Sequence, residues 1–208
     1  MFDFQGIILS APAILFGLTI HEFSHGWVAW QLGDPTAKMM GRLTLNPLKH
    51  LDPIGTVALF LFRFGWAKPV PIDPRNFRHP TRDMAISGLA GPAANLLTAA
   101  VSGLILRVFI LFHVGGFVAT LTSYFVLFNL ILCFFNLIPI PPLDGSRLLY
   151  HLLPPNLAAG YGRLERYGFI ILIAIIFLGQ LTNVNLLWMY MGPLLRVFSL
   201  LFVGRPIV

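Results

Sequence analysis

Residues 6–32 read GIILSAPAILFGLTIHEFSHGWVAWQL, an apolar run that carries His21, Glu22 and His25 in its second half. A helix needs about 20 apolar residues to cross a hydrocarbon core of about 30 Å, because it rises about 1.5 Å per residue. This run is long enough. Ionisable groups inside a span are expensive, and three within five positions are too expensive to be idle. Residues i and i+4 of a helix lie about 40° apart, so His21 and His25 face one way and can share a tetrahedral metal ion. Glu22 is offset by about 100° and can reach a water on that metal. Chance occurrence of H-E-x-x-H in a chain of this composition is on the order of 0.002.

The rest of the chain agrees with a bilayer as solvent. Hydrophobic residues make up 57% and charged residues 11%, against about 25% charged in a soluble domain. That is too little charge to cover a soluble surface, which excludes a soluble globular protein, a disordered protein and a coiled coil. At about 150 residues per domain, 208 residues predict one domain. The net charge of +6, from 14 basic and 8 acidic residues, marks cytoplasmic loops rather than nucleic-acid binding. The single cysteine, Cys133, cannot form an intrachain disulfide. Met1-Phe2-Asp3-Phe4 lacks a basic n-region and is read as the start of the first membrane segment, not a cleaved signal.

Four further stretches have spanning character: Met84 to Phe112, Phe117 to Ile138, Tyr167 to Leu181 (tilted in from Leu164) and Leu186 to Val203. Ile54 to Phe62 reaches only about 13 Å as a helix, so it is re-entrant, interfacial or a short buried helix. Lys38, Arg42, Lys49, Arg63, Lys68, Arg75, Arg78 and Arg82 cluster between the first two spans, and Arg147, Arg163, Arg166 and Arg205 come later. The positive-inside rule then predicts five crossings, with the N-terminus outside and the C-terminus cytoplasmic. Pro69, Pro71 and Pro74 forbid a regular helix and predict an extended Pro-rich cytoplasmic hairpin. Its edge either pairs with an unwound substrate strand or forms a rigid loop. The expected fold is an all-α polytopic membrane protein: about five transmembrane helices, the short re-entrant or interfacial segment and that hairpin. It forms a single domain over 1–208, with its catalytic core at about 7–150 and accessory helices at about 164–204, as a multi-pass protein of the cell membrane. Trp27, Trp30, Trp66 and Trp188 suit interfacial anchoring, and Arg107 can snorkel.

Stepping by four along the first span gives Ala13, Gly17, His21, His25 and Ala29, a small face that lets another helix approach closely. The second span carries a matching stripe, Ser87, Gly91, Asn95, Ala99 and Gly103. The amide of Asn95 either serves the site or makes an interhelical hydrogen bond. For a third metal ligand the best candidate is Asp144 in NLIPIPPLDG, residues 136–145, where prolines stop the preceding helix and Gly145 allows a sharp turn. Asp144 is either that ligand or the cap of a helix beginning near Ser146. Asp3 and His113 sit at the far end of their helices, and His50, His79, His113 and His151 are read as structural or surface residues.

Together these residues resemble the site-2 protease family of intramembrane zinc metalloproteases. The likeness covers the HEFSH helix, Gly91-Pro92-Ala93-Ala94-Asn95 and Asn136 to Gly145. Asn46-Pro47-Leu48 through Asp52-Pro53-Ile54-Gly55 and the KPVPIDPRNF stretch are similar to compact bacterial and archaeal members. The resemblance implies one Zn²⁺ per chain, held by His21, His25 and Asp144, with Glu22 as catalytic base and Asn95 and Asn136 as polar helpers. It implies a transmembrane protein substrate and regulated intramembrane proteolysis. The chain departs from better-known members in having no PDZ-like insert and no nucleotide-sensing domain after Val203. A prenyl-processing zinc protease would show more Glu or His ligands, yet Glu165 is the one other Glu. The alternative, a non-proteolytic membrane metal-binding or transport protein, would need a polar path, yet the last two apolar stretches hold no charge before Arg196.

Overall fold

The computed structural model describes residues 4–62, 65–182 and 185–207; Asp3 and Arg63 lie outside the described residues. The elements are helices: α1 (Phe4–Gln31), α2 (Thr36–Met39), α3 (Pro53–Phe62), α4 (Pro80–Leu111), α5 (Gly116–Asn136), α6 (Asp144–Leu152), α7 (Pro155–Gly162), α8 (Gly168–Thr182) and α9 (Leu186–Val203). Of the described helices, α4, α5 and α9 are long and apolar enough to cross a membrane. Leu97, Val101, Leu104, Val197 and Leu201 are exposed on these helices. Helices apolar on their outer faces as well as in the core belong in lipid, and the protein is an integral membrane protein.

The centre of the molecule is α4, which packs against α1, α5, α6 and α9. Small residues make this possible. Gly17, Gly91 and Gly103 sit where a Cβ would lie 2.8 Å from Leu132 of α5, 2.6 Å from His21 of α1 and 2.6 Å from Phe202 of α9, respectively. With so little side chain between them the helix backbones approach closely, the usual way helices associate where no hydrophobic force drives them together. Ala99, Leu106, Val126, Leu130, Cys133, Leu195 and Val203 fill the core that α4, α5 and α9 share.

Both ends of α3 return to one place. Leu51 forms an antiparallel bridge with Ala67, and the Lys68 N–H donates to the His50 carbonyl at 2.8 Å. Asp52 starts the helix by accepting from the Gly55 N–H at 2.8 Å, which satisfies an otherwise orphan donor of the first turn. A ten-residue helix rises about 15 Å, half of a hydrocarbon core. Residues 68–73 follow without regular secondary structure and end in a 3-10 turn, Pro74–Asn76.

The direction of α9 departs from the sequence reading. Leu187, near its start, packs beside Ile138, Leu143 and Leu172, where α5 ends and α6 begins. At its other end the guanidinium of Arg107 donates to the Leu201 carbonyl. Arg205 and Ile207 line one recess with His113, Gly115 and Ala119. The C-terminus therefore lies at the end of the bundle that holds the His113–Gly116 turn, opposite the basic segments between α1 and α4. Five alternating crossings would instead run α9 parallel to α5. The physical reason for the departure is α8: it starts against Pro141, whose carbonyl a Cβ on Gly168 would overlap. Its 15 residues rise about 22 Å, short of a hydrocarbon core of about 30 Å.

Candidate metal centre

α1 presents His21 and His25 toward α4, both buried. The His25 Nδ1–H donates to the Ser87 carbonyl at 2.7 Å, and the His21 Nδ1–H donates to Asn95 Oδ1 at 2.6 Å. Both acceptors lack a proton to give, so the neutral form of each ring carries its hydrogen on Nδ1 and leaves the Nε2 lone pair bare. These lone pairs face each other at 3.0 Å. Gly91 lies between the rings on the α4 side, where a Cβ would overlap His25 Nε2 and come within 2.6 Å of His21 Cε1.

Asp144 completes the group. The break after α5 delivers it: Gly145 packs so closely on the Leu137 carbonyl that no side chain fits there. Asp144 is the first residue of α6, preceded by Leu143 at the cap position, and no side chain caps that end. Its carboxylate turns inward instead. Oδ2 lies 3.1 Å from Nε2 of both His21 and His25, and Oδ1 lies 3.8 Å from Arg147 Nη1. Among the described residues, His21, His25 and Asp144 form the one group of three or more such side chains able to hold a metal ion together. Zinc held tetrahedrally at about 2.0–2.1 Å sets nitrogen and oxygen donors about 3.3 Å apart. The observed separations agree to within a few tenths of an ångström. Two bare lone pairs and a carboxylate oxygen facing one point repel one another unless a cation lies between them, so the donor set fits zinc.

The remaining sequence candidates divide. Asn95 is fully buried and bonded to His21. Asn136 lies at the end of α5, and its Nδ2 donates to the Leu132 carbonyl at 2.9 Å. Glu22 Oε2 accepts from the backbone N–H of Val70 at 2.8 Å. His50 is buried against the Thr44 carbonyl, 2.8 Å from Nε2, and His113 and His151 are exposed, away from the centre.

Three contributors lie outside the residues that the sequence motifs single out. Asn129 accepts from Asn95 Nδ2, and a lone amide within an apolar span was the signal for it. Asp34 gathers Thr36, Asp73 and Asn76 around its carboxylate. Val70 acts through its backbone, which no residue pattern reveals.

The sequence profile of peptidase family M50 matches residues 111–179, the part holding Asn136 and Asp144. A relative from Bacillus subtilis (strain 168), named "Putative zinc metalloprotease YwhC", is 38% identical over 202 residues, covering 91% of this chain and 90% of the relative. "Putative zinc metalloprotease Rip2" of Mycolicibacterium smegmatis is 32% identical over 178 residues, 81% of this chain and 66% of that protein. Its namesake in Mycobacterium tuberculosis strain H37Rv is 28% identical over 174 residues, again 81% and 66%. No solved structure matches the chain.

Proposed function

The chain belongs to peptidase family M50, the site-2 proteases, and within that membrane zinc metalloprotease we propose that His21, His25 and Asp144 hold the metal and that Glu22 is the catalytic base. The observation that carries this is the convergence of two Nε2 lone pairs and one carboxylate oxygen within 3.1 Å of one another. Zinc bound there supplies a Lewis acid for a peptide carbonyl and lowers the pKa of water toward about 7.

The protein's own groups do the rest. The Val70 N–H occupies Glu22 Oε2, which leaves Oε1 to take a proton from water and pass it to the leaving amine. Asn95 has its amide committed to His21, Gly17 and Asn129, so we assign it to orienting His21. Asn136 keeps its Oδ1 and one amide hydrogen uncommitted, and it is our choice for the oxyanion. The substrate is a transmembrane segment, which must unwind locally because a helix covers its own peptide bonds.

The packing supports a topology of four full crossings, by α1, α4, α5 and α9. The basic segments between α1 and α4 face the cytoplasm, α3 dips in and returns, and both termini lie on the far side. α8, whose Ile170, Phe177 and Leu181 are exposed, lies in lipid without crossing. The molecule is one catalytic domain.

Glu22→Gln tests the assignment. It should retain zinc and lower the rate of cleaving a transmembrane substrate in liposomes by about 10²-fold or more. Asp144→Ala should lose most zinc while Asp52→Ala and His151→Ala keep it. Wild-type cleavage by Glu22→Gln, or a full zinc complement in folded Asp144→Ala, refutes the roles given.

A further inference from the structure

One orientation is open to the amide of Asn95. Its Nδ2 donates to the Gly17 carbonyl at 2.9 Å and to Asn129 Oδ1 at 2.9 Å. Its Oδ1 is thereby turned to the Nδ1–H of His21. The amide of Asn129 is fixed in turn, because its Nδ2 donates to the Phe125 carbonyl one helical turn earlier at 2.9 Å. A carbonyl only accepts, so Asn129 must present its oxygen, and not its NH₂, to Asn95. Asn95 and Asn129 are both fully buried, and no solvent competes for these bonds. A polar side chain in a spanning helix is expensive unless it has a task. Close approach of α1 keeps the chain of bonds taut, since a Cβ on Gly17 would lie 3.1 Å from Asn129 Oδ1.

We infer that Asn129 is a positioning residue for the metal centre: through Asn95 it holds His21 in the tautomer that offers a bare Nε2 to the metal. The inference rests on the ligand assignment above. Without the Asn129 oxygen, the Gly17 carbonyl alone holds the Asn95 amide, so turning the amide over then breaks one buried hydrogen bond instead of two. Its NH₂ then faces His21 Nδ1, which must become the acceptor and move the ring hydrogen to Nε2, where it blocks the metal. Outer partners of ligating histidines typically change metal affinity by about 10–100-fold.

The test uses the full chain in detergent, with zinc affinity read by chelator competition and ligand geometry by the visible absorption of bound Co²⁺. Asn129→Thr is the informative variant. Its hydroxyl can bond the Phe125 carbonyl, as Thr19, Thr98 and Thr120 bond the carbonyl four residues back, but it is too short to reach Asn95. It should bind zinc about 10–100-fold more weakly and change the Co²⁺ band. Asn129→Asp, which keeps an oxygen toward Asn95, should restore both, and Leu130→Val, a packing change on the same turn, should leave both alone. Wild-type affinity and spectrum in Asn129→Thr would overturn the inference, as would an equal loss in Asn129→Asp or Leu130→Val. If the threonine variant does not fold, Asn129→Leu is judged by the same two readouts. His21→Ala separates the two levels: zinc retained there refutes the ligand assignment itself. Zinc lost there but kept by Asn129→Thr refutes only the role of Asn129.

Discussion

A single hydrogen atom in place of a methyl group decides whether the metal centre can close. At Gly91 an added Cβ would overlap His25 Nε2 and press on His21 at 2.6 Å. Both rings are buried and tied through Nδ1, so neither can give way. Gly91→Ala should therefore lose most bound zinc and most cleavage while remaining folded, since α4 itself gains helix propensity from alanine. Gly160 is the control: it lies in α7 with nothing within 4 Å of its Cβ position. There alanine should leave zinc untouched and stabilise by about 0.5–1 kcal/mol. Metal content and thermal unfolding of the two variants check this. Equal zinc in Gly91→Ala would mean that the rings are not held as described.

At the scale of elements, the extended stretch after α3 is fastened at two points, to α1 and to Asp34 just beyond it. Val70 meets Glu22, and three residues on the Asp73 N–H donates to Asp34 Oδ2 at 2.8 Å while Asn76 Nδ2 reaches Asp34 Oδ1 at 2.7 Å. Asp34 is fully buried just beyond the end of α1. Asp34→Ala should free the stretch, misplace Glu22 and lower kcat by up to about 10²-fold, the scale of a misplacement of about 1 Å, with zinc affinity unchanged because no ligand moves. Loss of zinc in that variant would show that the clamp serves the ligands instead. Burial works to raise the pKa of Asp34, but hydrogen bonds from Thr36, Asn76 and the Asp73 and Thr36 N–H groups outweigh it and hold it below its ordinary value. A carboxyl lowered on folding stabilises fully above its unfolded pKa of about 3.9, and the contribution disappears as pH falls through the lower folded value. Acid titration of stability should thus be flat for this clamp at neutral pH and steepen below about pH 4, and Asp34→Asn should remove that part of the slope.

At the scale of the whole molecule, the position of the C-terminus is tested by labelling. α9 runs antiparallel to α5 and ends beside His113, so the proposed four-crossing topology puts Arg205 and Lys38 on opposite faces of the membrane. Single cysteines at Lys38, Arg75 and Arg205, in a Cys133→Ser background, should label with an impermeant reagent from one side for the first two and from the other for the third. Labelling of all three from one side would return the five-crossing arrangement and mean that α8 crosses after all.

Much of the protein is legible in the residues alone. Membrane residence follows from composition, the metal from His21 and His25 one turn apart, and the close helix contact from the small stripes around Gly17 and Gly91. These properties are local: they depend on side-chain transfer energies and helical spacing, which a linear pattern records. The direction of α9 is not recorded there. Hydropathy measures how well a segment suits lipid, and α8 and α9 suit it equally whichever way they run. Packing of Phe202 on Gly103 and of Leu187 beside Ile138 sets that direction. Nor does spacing reveal that Asn95 turns to His21 because Asn129 and Gly17 claim its other side. That order depends on three helices meeting, and it exists once buried donors and acceptors have no water left to choose.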